Sequence, residues 1–284
     1  MSEPVIEPTR ATFGAVVTGA RLPHLSDSEW RAIESAFHEF ALLIFPAQHL
    51  TAREQVAFGE RFGEIEHLYG RAGWIPITNR GNDGTLLADD KQPMQIMRGN
   101  EGWHTDSSYM PLAAKASVLS AHTVPASGGQ TEWADMRAAY DALDDATRER
   151  IANLTAFHSL KRSQARIGHT DASTSYYGFH DGDPPLRPLV KVHPVTGRPA
   201  LYIGRHAYGI PGIDPLESEK LLDELLEAAC RTPRVYEHAW QPGDVAIWDN
   251  RCLLHRARPY DHSEARTMRH TRIAGDPATE QARA

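Results

Sequence analysis

Two segments near the start of the chain carry apolar residues at helical spacing behind a helix-start signal. Residues 26–29 and 51–54 share the capping-box pattern Ser/Thr-x-x-Glu, whose side chains satisfy free N–H groups in a first helical turn. Apolar residues follow at intervals of three and four, from Trp30 to Phe40 and again after residue 54. The pattern predicts two amphipathic helices ahead of the residues that could carry chemistry.

Most other apolar residues lie in short runs that are typical of strands. The run 41–45 is apolar throughout, as expected of a strand that is buried on both faces. Residues 189–193 and 200–203 flank one turn segment, and residues 235–240 and 245–248 flank the turn sequence Gln-Pro-Gly-Asp. We therefore expect two hairpins in the second half of the chain.

Two further helices and a last strand complete the expected elements. Asp135 and Asp214 are helix-start residues, and Pro215 stands at the first helical position, where its missing N–H is not needed. Residues 266–273 have the composition of a strand. Short strands with inserted helices, without regular β-α alternation, indicate a mainly β fold with flanking helices, and we expect one domain over residues 1–284.

Composition narrows the classes of function. Thirty Lys and Arg against 37 Asp and Glu give a formal net charge of -7, which provides no attraction for nucleic acid or an anionic membrane. Cys230 and Cys252 are too few for a disulfide framework or a thiolate cluster. Neither a signal peptide nor an apolar run of membrane-spanning length is evident, so we expect a cytoplasmic location without membrane contact.

The pattern His104-x-Asp106 is the central chemical signal. In an extended strand, residues two apart project from one face and can bind the same ion. His255 is the candidate for the third ligand, and two imidazoles with one carboxylate form a facial triad that suits iron(II). Three open positions would then accept a 2-oxo acid through two oxygens, with one position left for dioxygen. The tripeptide alone is common, so its context decides.

Five sequence elements supply that context. They are Trp-His-Thr-Asp at 103–106, Gly-Gly-x-Thr at 128–131, Gly-Asp-x-x-x-Trp-Asp-Asn-Arg at 243–251, His255, and Arg-x-Met at 266–268. In this order and spacing the chain resembles the taurine and 2,4-dichlorophenoxyacetate dioxygenase family. The resemblance implies a double-stranded β-helix (jelly-roll) core, Fe(II), 2-oxoglutarate as co-substrate, O2, and self-association into a homo-oligomer.

The resemblance also implies two residues for the co-substrate. Arg266 matches the arginine that holds the far carboxylate of 2-oxoglutarate, a task for which a planar guanidinium offers two parallel hydrogen bonds. Thr131 matches the threonine whose hydroxyl contacts the same carboxylate. Without the resemblance, an exposed strand arginine would explain Arg266 equally well, and ordinary strand packing would be the better explanation of Thr131.

Candidate residues for an anionic substrate lie on the last strand. His270 and Arg272 alternate onto the same face as Arg266. Many family members carry the substrate-binding arginine where this chain has His270, so Arg272 is a hypothetical replacement.

Further resemblance points to the aryloxyalkanoate dioxygenases through residues 133–143, 186–194 and 203–207, and thus to a small anionic aromatic substrate. Arg205 and His206 are then candidates for binding the substrate carboxylate. Asn100 matches a family position near the substrate, and His67, Tyr69 and Arg71 lie in a segment that could form a lid. We assign no ligand partner to His122, His158, His169 or His193.

The expected reaction is hydroxylation of the carbon next to the ether oxygen of an aryloxyalkanoate. The product would collapse to a phenol and glyoxylate or pyruvate, with succinate and carbon dioxide formed from 2-oxoglutarate. One alternative is oxidation of taurine, another alkylsulfonate or an alkyl sulfate with the same metal and co-substrate residues. Another is a jelly-roll binding protein without catalysis, because the fold alone does not define a function.

Overall fold

Short strands and eight α-helices make up the part of the chain that the computed structural model describes, residues 3–67, 73–169, 178–179 and 182–282. The strands are β1 (Val5–Pro8), β2 (Ala15–Thr18), β3 (Leu42–Phe45), β4 (Ile75–Thr78), β5 (Ala114–Thr123), β6 (Thr131–Asp135), β7 (Thr155–His158), β8 (Leu186–Pro188), β9 (Val190–Val192), β10 (Pro199–Leu201), β11 (Ala207–Tyr208), β12 (Val235–His238), β13 (Val245–Asp249), β14 (Leu253–Ala257) and β15 (Thr267–Ala274). The helices are α1 (Asp27–Phe40), α2 (Ala52–Glu60), α3 (Gln92–Gly99), α4 (Met136–Asp141), α5 (Asp145–Ile151), α6 (Leu160–Ala165), α7 (Pro215–Ala229) and α8 (Pro277–Glu280). None of the described helices is long and apolar enough to cross a membrane.

The strands form one large sheet and three small ones. Seven strands build the large sheet in the order β1-β2-β3-β13-β5-β15-β4, and β12-β6-β14 builds a three-stranded sheet. The remaining strands form the sheets β11-β7-β8 and β10-β9. Neighbouring strands are antiparallel except β2 and β3. The expectation of β-sheets with flanking helices is confirmed, although the described helices contain about as many residues as the strands.

The central strands of the large sheet are buried on both faces. Along β3, Leu42 and Ile44 join a core shared with the small sheets, whereas Leu43 and Phe45 join a core formed with α1 and α2. Successive strand residues point to opposite faces, so a continuous apolar run is what this position requires. Each large side chain removed from water contributes roughly 1.5–3 kcal/mol.

The predicted helix starts are confirmed. Both capping boxes form with their reciprocal hydrogen bonds, and the backbone N–H of Ser26 donates to the Glu29 carboxylate over 2.7 Å. Asp135 and Asp214 accept backbone N–H groups at the starts of α4 and α7. The predicted pairing of residues 189–193 with 200–203 is confirmed by β9 and β10.

The other predicted hairpin, between residues 235–240 and 245–248, is wrong. Strand β12 pairs with β6, whereas β13 pairs with β3 and β5 in the large sheet. Strand β13 is buried along its whole length and has a neighbouring strand on both edges, while β12 is a half-buried edge strand. The turn before β13 therefore carries the chain from one sheet to another.

The expectation of only two helices before the chemical residues is also wrong. Helix α3 forms at Gln92–Gly99, with Pro93 in its first turn and a glycine at its end. Proline and glycine are typical of loops, but both are tolerated at helix ends. The helix has only eight residues, and two of them are proline and glycine. Its periodic pattern was therefore too short to predict a helix.

Candidate active site

Three candidate metal ligands meet between the large sheet and the sheet β12-β6-β14. His255 lies on β14, and His104 and Asp106 lie in the segment that leads from α3 to β5. One possible ligand atom from each residue lies within 4.8 Å of the others, and all three residues are buried. Residues that are far apart along the chain thus form one compact cluster of metal-binding groups.

The sequence suggested that His104 and Asp106 lie on a regular strand, but in the structure they do not. The segment pairs with β14 at a single bridge, in which His104 N–H donates to His255 C=O over 3.0 Å. His255 N–H donates back to His104 C=O over 2.8 Å. The segment turns just beyond, where Ser107 has a φ of 54°. A backbone bridge, rather than strand alternation, brings the two histidines together.

The hydrogen bonds of His104 fix which ring nitrogen can bind a metal. Its Nδ1 lies 2.8 Å from the Gly102 carbonyl oxygen, which can only accept, so Nδ1 carries the hydrogen and Nε2 keeps its lone pair. Burial lowers the pKa of His104 to about 4 and holds the pKa of His255 well below its ordinary range. Both imidazoles are therefore neutral, as metal binding requires.

Asp106 is held as an ionised carboxylate. Burial is the largest single influence and opposes its ionisation, but Arg272 and the neighbouring polar groups together outweigh burial, so the pKa of Asp106 lies well below its ordinary range. Ser117 on β5 donates to the carboxylate over 2.6 Å. Asn250 donates to the Ser117 hydroxyl and accepts the backbone N–H of Asp106. Asn250 stands in a recognised motif, but nothing in the sequence pointed to Ser117.

Both substrate candidates on β15 face the same carboxylate. Nε2 of His270 lies 3.4 Å from Asp106, and the His270 ring stacks on Trp248 with an interplanar angle of 12°. Arg272 forms an ion pair with Asp106 over 3.1 Å and approaches the Ser107 hydroxyl at 3.4 Å. The structure therefore places these two residues beside the candidate metal ligands.

Arg266 and Thr131 flank the glycine turn that precedes β6. The Arg266 guanidinium donates to the Gly129 carbonyl over 3.1 Å and lies over the Tyr260 ring. Arg266 as a residue is 5% exposed. Its Nε has no hydrogen-bond partner among the described residues, and burial lowers its pKa to about 10. The Thr131 hydroxyl accepts the indole N–H of Trp240 over 2.9 Å.

The buried guanidinium of Arg266 has no carboxylate partner among the described residues. Burying such a charge is costly unless an anion neutralises it. Gly129 makes room for this group, because a Cβ there would lie 3.2 Å from Arg266 Nε. The geometry therefore fits one end of a small dicarboxylate.

Arg205 and His206 lie in the turn between β10 and β11. Arg205 donates to the Ser163 carbonyl and to the Gln164 side chain, and also contacts the Gly99 carbonyl. His206 has its Nδ1 2.8 Å from the Ser163 hydroxyl, and its ring lies edge-on to that of His104 at 5.7 Å. The turn therefore borders the candidate metal ligands, with Arg205 already bound to α3 and α6.

The remaining sequence candidates lie around this region. Asn100 ends α3, and its carbonyl accepts the N–H of Ala257 on β14. His67 is exposed and lies 3.9 Å from Glu64, whereas Tyr69 and Arg71 lie outside the described residues. A cavity of about 210 Å³ opens beside Tyr109, whose ring contacts that of His206 at 4.9 Å.

A second buried cluster contains His193, Asp249 and Cys252, although the sequence assigned no ligand partner to His193. His193 lies 3.0 Å from Asp249, which also forms an ion pair with Arg251 over 2.6 Å. The backbone N–H groups of residues 195 and 196 donate to Nδ1 of His193. His193 lies 56 residues before Asp249 in the sequence, so no local spacing could have revealed the cluster.

Comparisons with known proteins agree with this geometry. The model of the taurine catabolism dioxygenase TauD, TfdA family matches residues 6–272. The chain is 53% identical to the (S)-phenoxypropionate/alpha-ketoglutarate-dioxygenase of Sphingobium herbicidovorans, over 98% of this chain and 97% of that protein. It is 38% identical to the alpha-ketoglutarate-dependent 2,4-dichlorophenoxyacetate dioxygenase of Cupriavidus pinatubonensis, over 96% of this chain and 98% of that protein. The crystal structure of AAD-2 in complex with Mn(II) and N-oxalylglycine matches with a TM-score of 0.91 at 38% identity, covering 100% of both chains.

Proposed function

The chain belongs to the taurine catabolism dioxygenase TauD, TfdA family, and from this premise we propose that it oxidises an aryloxyalkanoate with iron(II), 2-oxoglutarate and dioxygen. The observation that carries the proposal is the buried cluster of His104, Asp106 and His255. Arg266, whose guanidinium could bind an anion, is buried in the same protein interior. The 53% identical relative acts, by its name, on (S)-phenoxypropionate with alpha-ketoglutarate, which is 2-oxoglutarate.

The proposed reaction balances with dioxygen as the oxidant. One oxygen atom enters succinate as 2-oxoglutarate loses carbon dioxide, and the other replaces hydrogen with hydroxyl on the carbon between ether oxygen and carboxylate. The resulting hemiacetal or hemiketal breaks its bond to the aryl oxygen. A phenol leaves, together with glyoxylate from a phenoxyacetate or pyruvate from a phenoxypropionate.

The donor set fits iron(II). Two neutral imidazoles and one ionised carboxylate are the ligands of a facial triad, and the Gly102 carbonyl orients one imidazole with Nε2 available. Bound iron(II) supplies the binding and reduction of dioxygen. Ser117 and Asn250 keep the Asp106 carboxylate in place, and His104, Asp106 and His255 would hold the metal.

The family's co-substrate assignment fits Arg266 and Thr131. Arg266 is the cation for the far carboxylate, and Thr131 is the hydroxyl beside it. A dicarboxylate fixed at that end presents its 2-oxo acid end in one orientation only, which is how positioning lowers a barrier. Asn100, Arg205, His206, His270 and Arg272 are the proposed set from which the substrate contacts come.

The proposal also covers the core architecture, the domain organisation, the oligomeric state and the location of the protein. A jelly-roll core would consist of the large sheet and the sheet β12-β6-β14, whose facing sides share buried Trp133 and Trp248 with ring centroids 5.7 Å apart. One domain over residues 1–284 and a homo-oligomeric state are further proposals from the family. A cytoplasmic location is supported by the free thiols of Cys230 and Cys252.

The deciding experiment uses anaerobically iron-loaded protein mixed with 2-oxoglutarate and then air. The substrates are (R)- and (S)-phenoxypropionate, phenoxyacetate and taurine, and succinate, phenol and sulfite are measured together. Phenol equal to succinate supports aryloxyalkanoate oxidation. Sulfite from taurine without phenol would replace the proposed substrate class, and no succinate above the iron-free control would overturn the reaction.

A further inference from the structure

Trp240 makes a single directed contact with the proposed co-substrate site. The residue is 6% exposed and lies two positions beyond β12, whose His238 pairs with Thr131 in the strand register. Its indole N–H reaches the Thr131 hydroxyl oxygen over 2.9 Å. The segment just after β12 therefore brings this N–H directly to a residue proposed to bind 2-oxoglutarate.

The chemistry of the indole group fixes the direction of this hydrogen bond. An indole N–H can only donate, so the Thr131 oxygen must accept from Trp240. The hydroxyl hydrogen of Thr131 donates to no acceptor among the described residues. Thr131 is consequently left with a hydrogen to donate, on a side chain that is 3% exposed. A buried donor without an acceptor is unfavourable until a ligand supplies one.

The surroundings of Thr131 favour an anionic acceptor. Gly129, two residues earlier, accepts from the Arg266 guanidinium over 3.1 Å, so a buried positive charge lies at the same turn. Trp240 itself is held edge-on by His238, with ring centroids 4.8 Å apart and an interplanar angle of 86°. His238 lies 3.0 Å from the Asp244 carboxylate. Trp240 is therefore fixed from behind while it faces Thr131.

We propose that Trp240 is a positioning residue for 2-oxoglutarate, whose N–H makes the Thr131 hydroxyl a donor to the carboxylate that Arg266 neutralises. The inference rests on the proposed function and deepens it. Trp240 does not touch the co-substrate in this arrangement, and it acts through Thr131. Its effect should therefore appear only with ligands that carry the far carboxylate.

The test measures binding by calorimetry to the full chain loaded with Mn(II), so that no turnover occurs. One ligand is 2-oxoglutarate, and the other is 2-oxopentanoate, which has the same chain length with a methyl group in place of the far carboxylate. Trp240→Phe should weaken 2-oxoglutarate binding by roughly tenfold, the scale of one hydrogen bond to a charged group. Binding of 2-oxopentanoate should stay within about twofold, because no charged acceptor meets Thr131.

Trp133 provides a matched control. Its ring packs 6.3 Å from that of Trp240, and its indole nitrogen has no hydrogen-bond partner among the described residues. Trp133→Phe removes an equal piece of buried indole without removing a hydrogen bond, so the preference for 2-oxoglutarate should persist. Thr131→Val should reproduce the loss seen in Trp240→Phe, and Thr131→Ser, which keeps the hydroxyl, should retain the preference.

The two variants should also be coupled. If Trp240 acts through Thr131, the double variant Trp240→Phe with Thr131→Val should lose no more than either single variant. Equal weakening of both ligands in Trp240→Phe, or an undiminished preference for 2-oxoglutarate, would overturn the inference. Wild-type protein that binds 2-oxoglutarate no better than 2-oxopentanoate would instead overturn the co-substrate assignment itself.

Discussion

Two buried clusters of this protein contain similar sets of metal-binding side chains, but the hydrogen bonds that these side chains make are different. His104, Asp106 and His255 form one cluster, and each has a possible ligand atom within 4.8 Å of the others. The second cluster, around Asp249, combines a histidine, a carboxylate and a thiol at the same spacing. Both are buried, and proximity alone does not distinguish them.

The difference lies in which lone pairs are already used. His193 in the second cluster accepts two backbone N–H groups at Nδ1, so its hydrogen is on Nε2, which faces Asp249. Burial raises the pKa of the Cys252 thiol well above its ordinary value, so no thiolate is present. His104 instead uses its hydrogen on a carbonyl and keeps Nε2 available. A metal can therefore bind the first cluster without breaking an internal hydrogen bond of His104.

Removal of a ligand from the first cluster should have the largest effect. Asp106→Ala deletes the only carboxylate of the proposed triad, and we expect iron binding to be lost and turnover to fall on the order of a thousandfold or more. Iron content and succinate formation check this, with circular dichroism to verify that the fold persists. Full activity in this variant would sink the metal assignment.

The same truncation in the second cluster should affect stability instead of iron. Asp249→Ala leaves Arg251, which is 4% exposed, without its carboxylate partner, and should cost about 3–5 kcal/mol in free energy of unfolding. Denaturant unfolding measures the loss, and iron per chain should equal that of the wild type.

The double variant Asp249→Ala with Arg251→Met is the control, because it removes both charges together. It should recover much of the lost stability. Iron loss in Asp249→Ala at full secondary-structure content would contradict the assignment of a purely structural role to this cluster.

Local sequence signals predicted the elements that depend on local contacts. The capping boxes at residues 26–29 and 51–54, and the proline at the start of α7, fix helix ends through residues a few positions apart. The doubly buried strand β3 was also predictable, since its apolar run leaves no polar face. The candidate ligands were found from the pattern His104-x-Asp106 with His255, and the resemblance supplied the context that decided between a metal site and a chance match.

Features that depend on distant partners could not be predicted. Strand β13 joins the large sheet because it pairs with β3 and β5, and the sequence of the turn before β13 does not indicate this pairing. The support of Asp106 comes from Ser117, an ordinary strand serine until the fold brings it to the carboxylate. The hydrogen on each histidine nitrogen likewise depends on neighbours that only the fold supplies.

A smaller change should weaken metal binding in the first cluster without abolishing it. Ser117→Ala removes the hydroxyl that donates to Asp106 over 2.6 Å, and loss of such an outer contact should lower iron affinity by about tenfold. Competition with a chelator of known affinity measures the change. Ser120→Ala on the same strand is the matched control, because the Ser120 hydroxyl bonds Gln55 and His122 instead. Equal losses in both variants would mean that the strand, rather than the contact with Asp106, sets the affinity.

The smallest effect should come from the thiol of the second cluster. Cys252 is 2% exposed, and its sulfur lies 4.0 Å from the Asp249 carbonyl oxygen, a weak contact at most. Cys252→Ala should cost about 1 kcal/mol in free energy of unfolding through the small cavity it leaves. Iron and zinc content, measured by elemental analysis, should be unchanged, because a neutral thiol beside a fully hydrogen-bonded histidine provides no ligand pair. A fall in bound metal in this variant would show that the second cluster binds an ion after all, and that occupied lone pairs do not separate the two clusters.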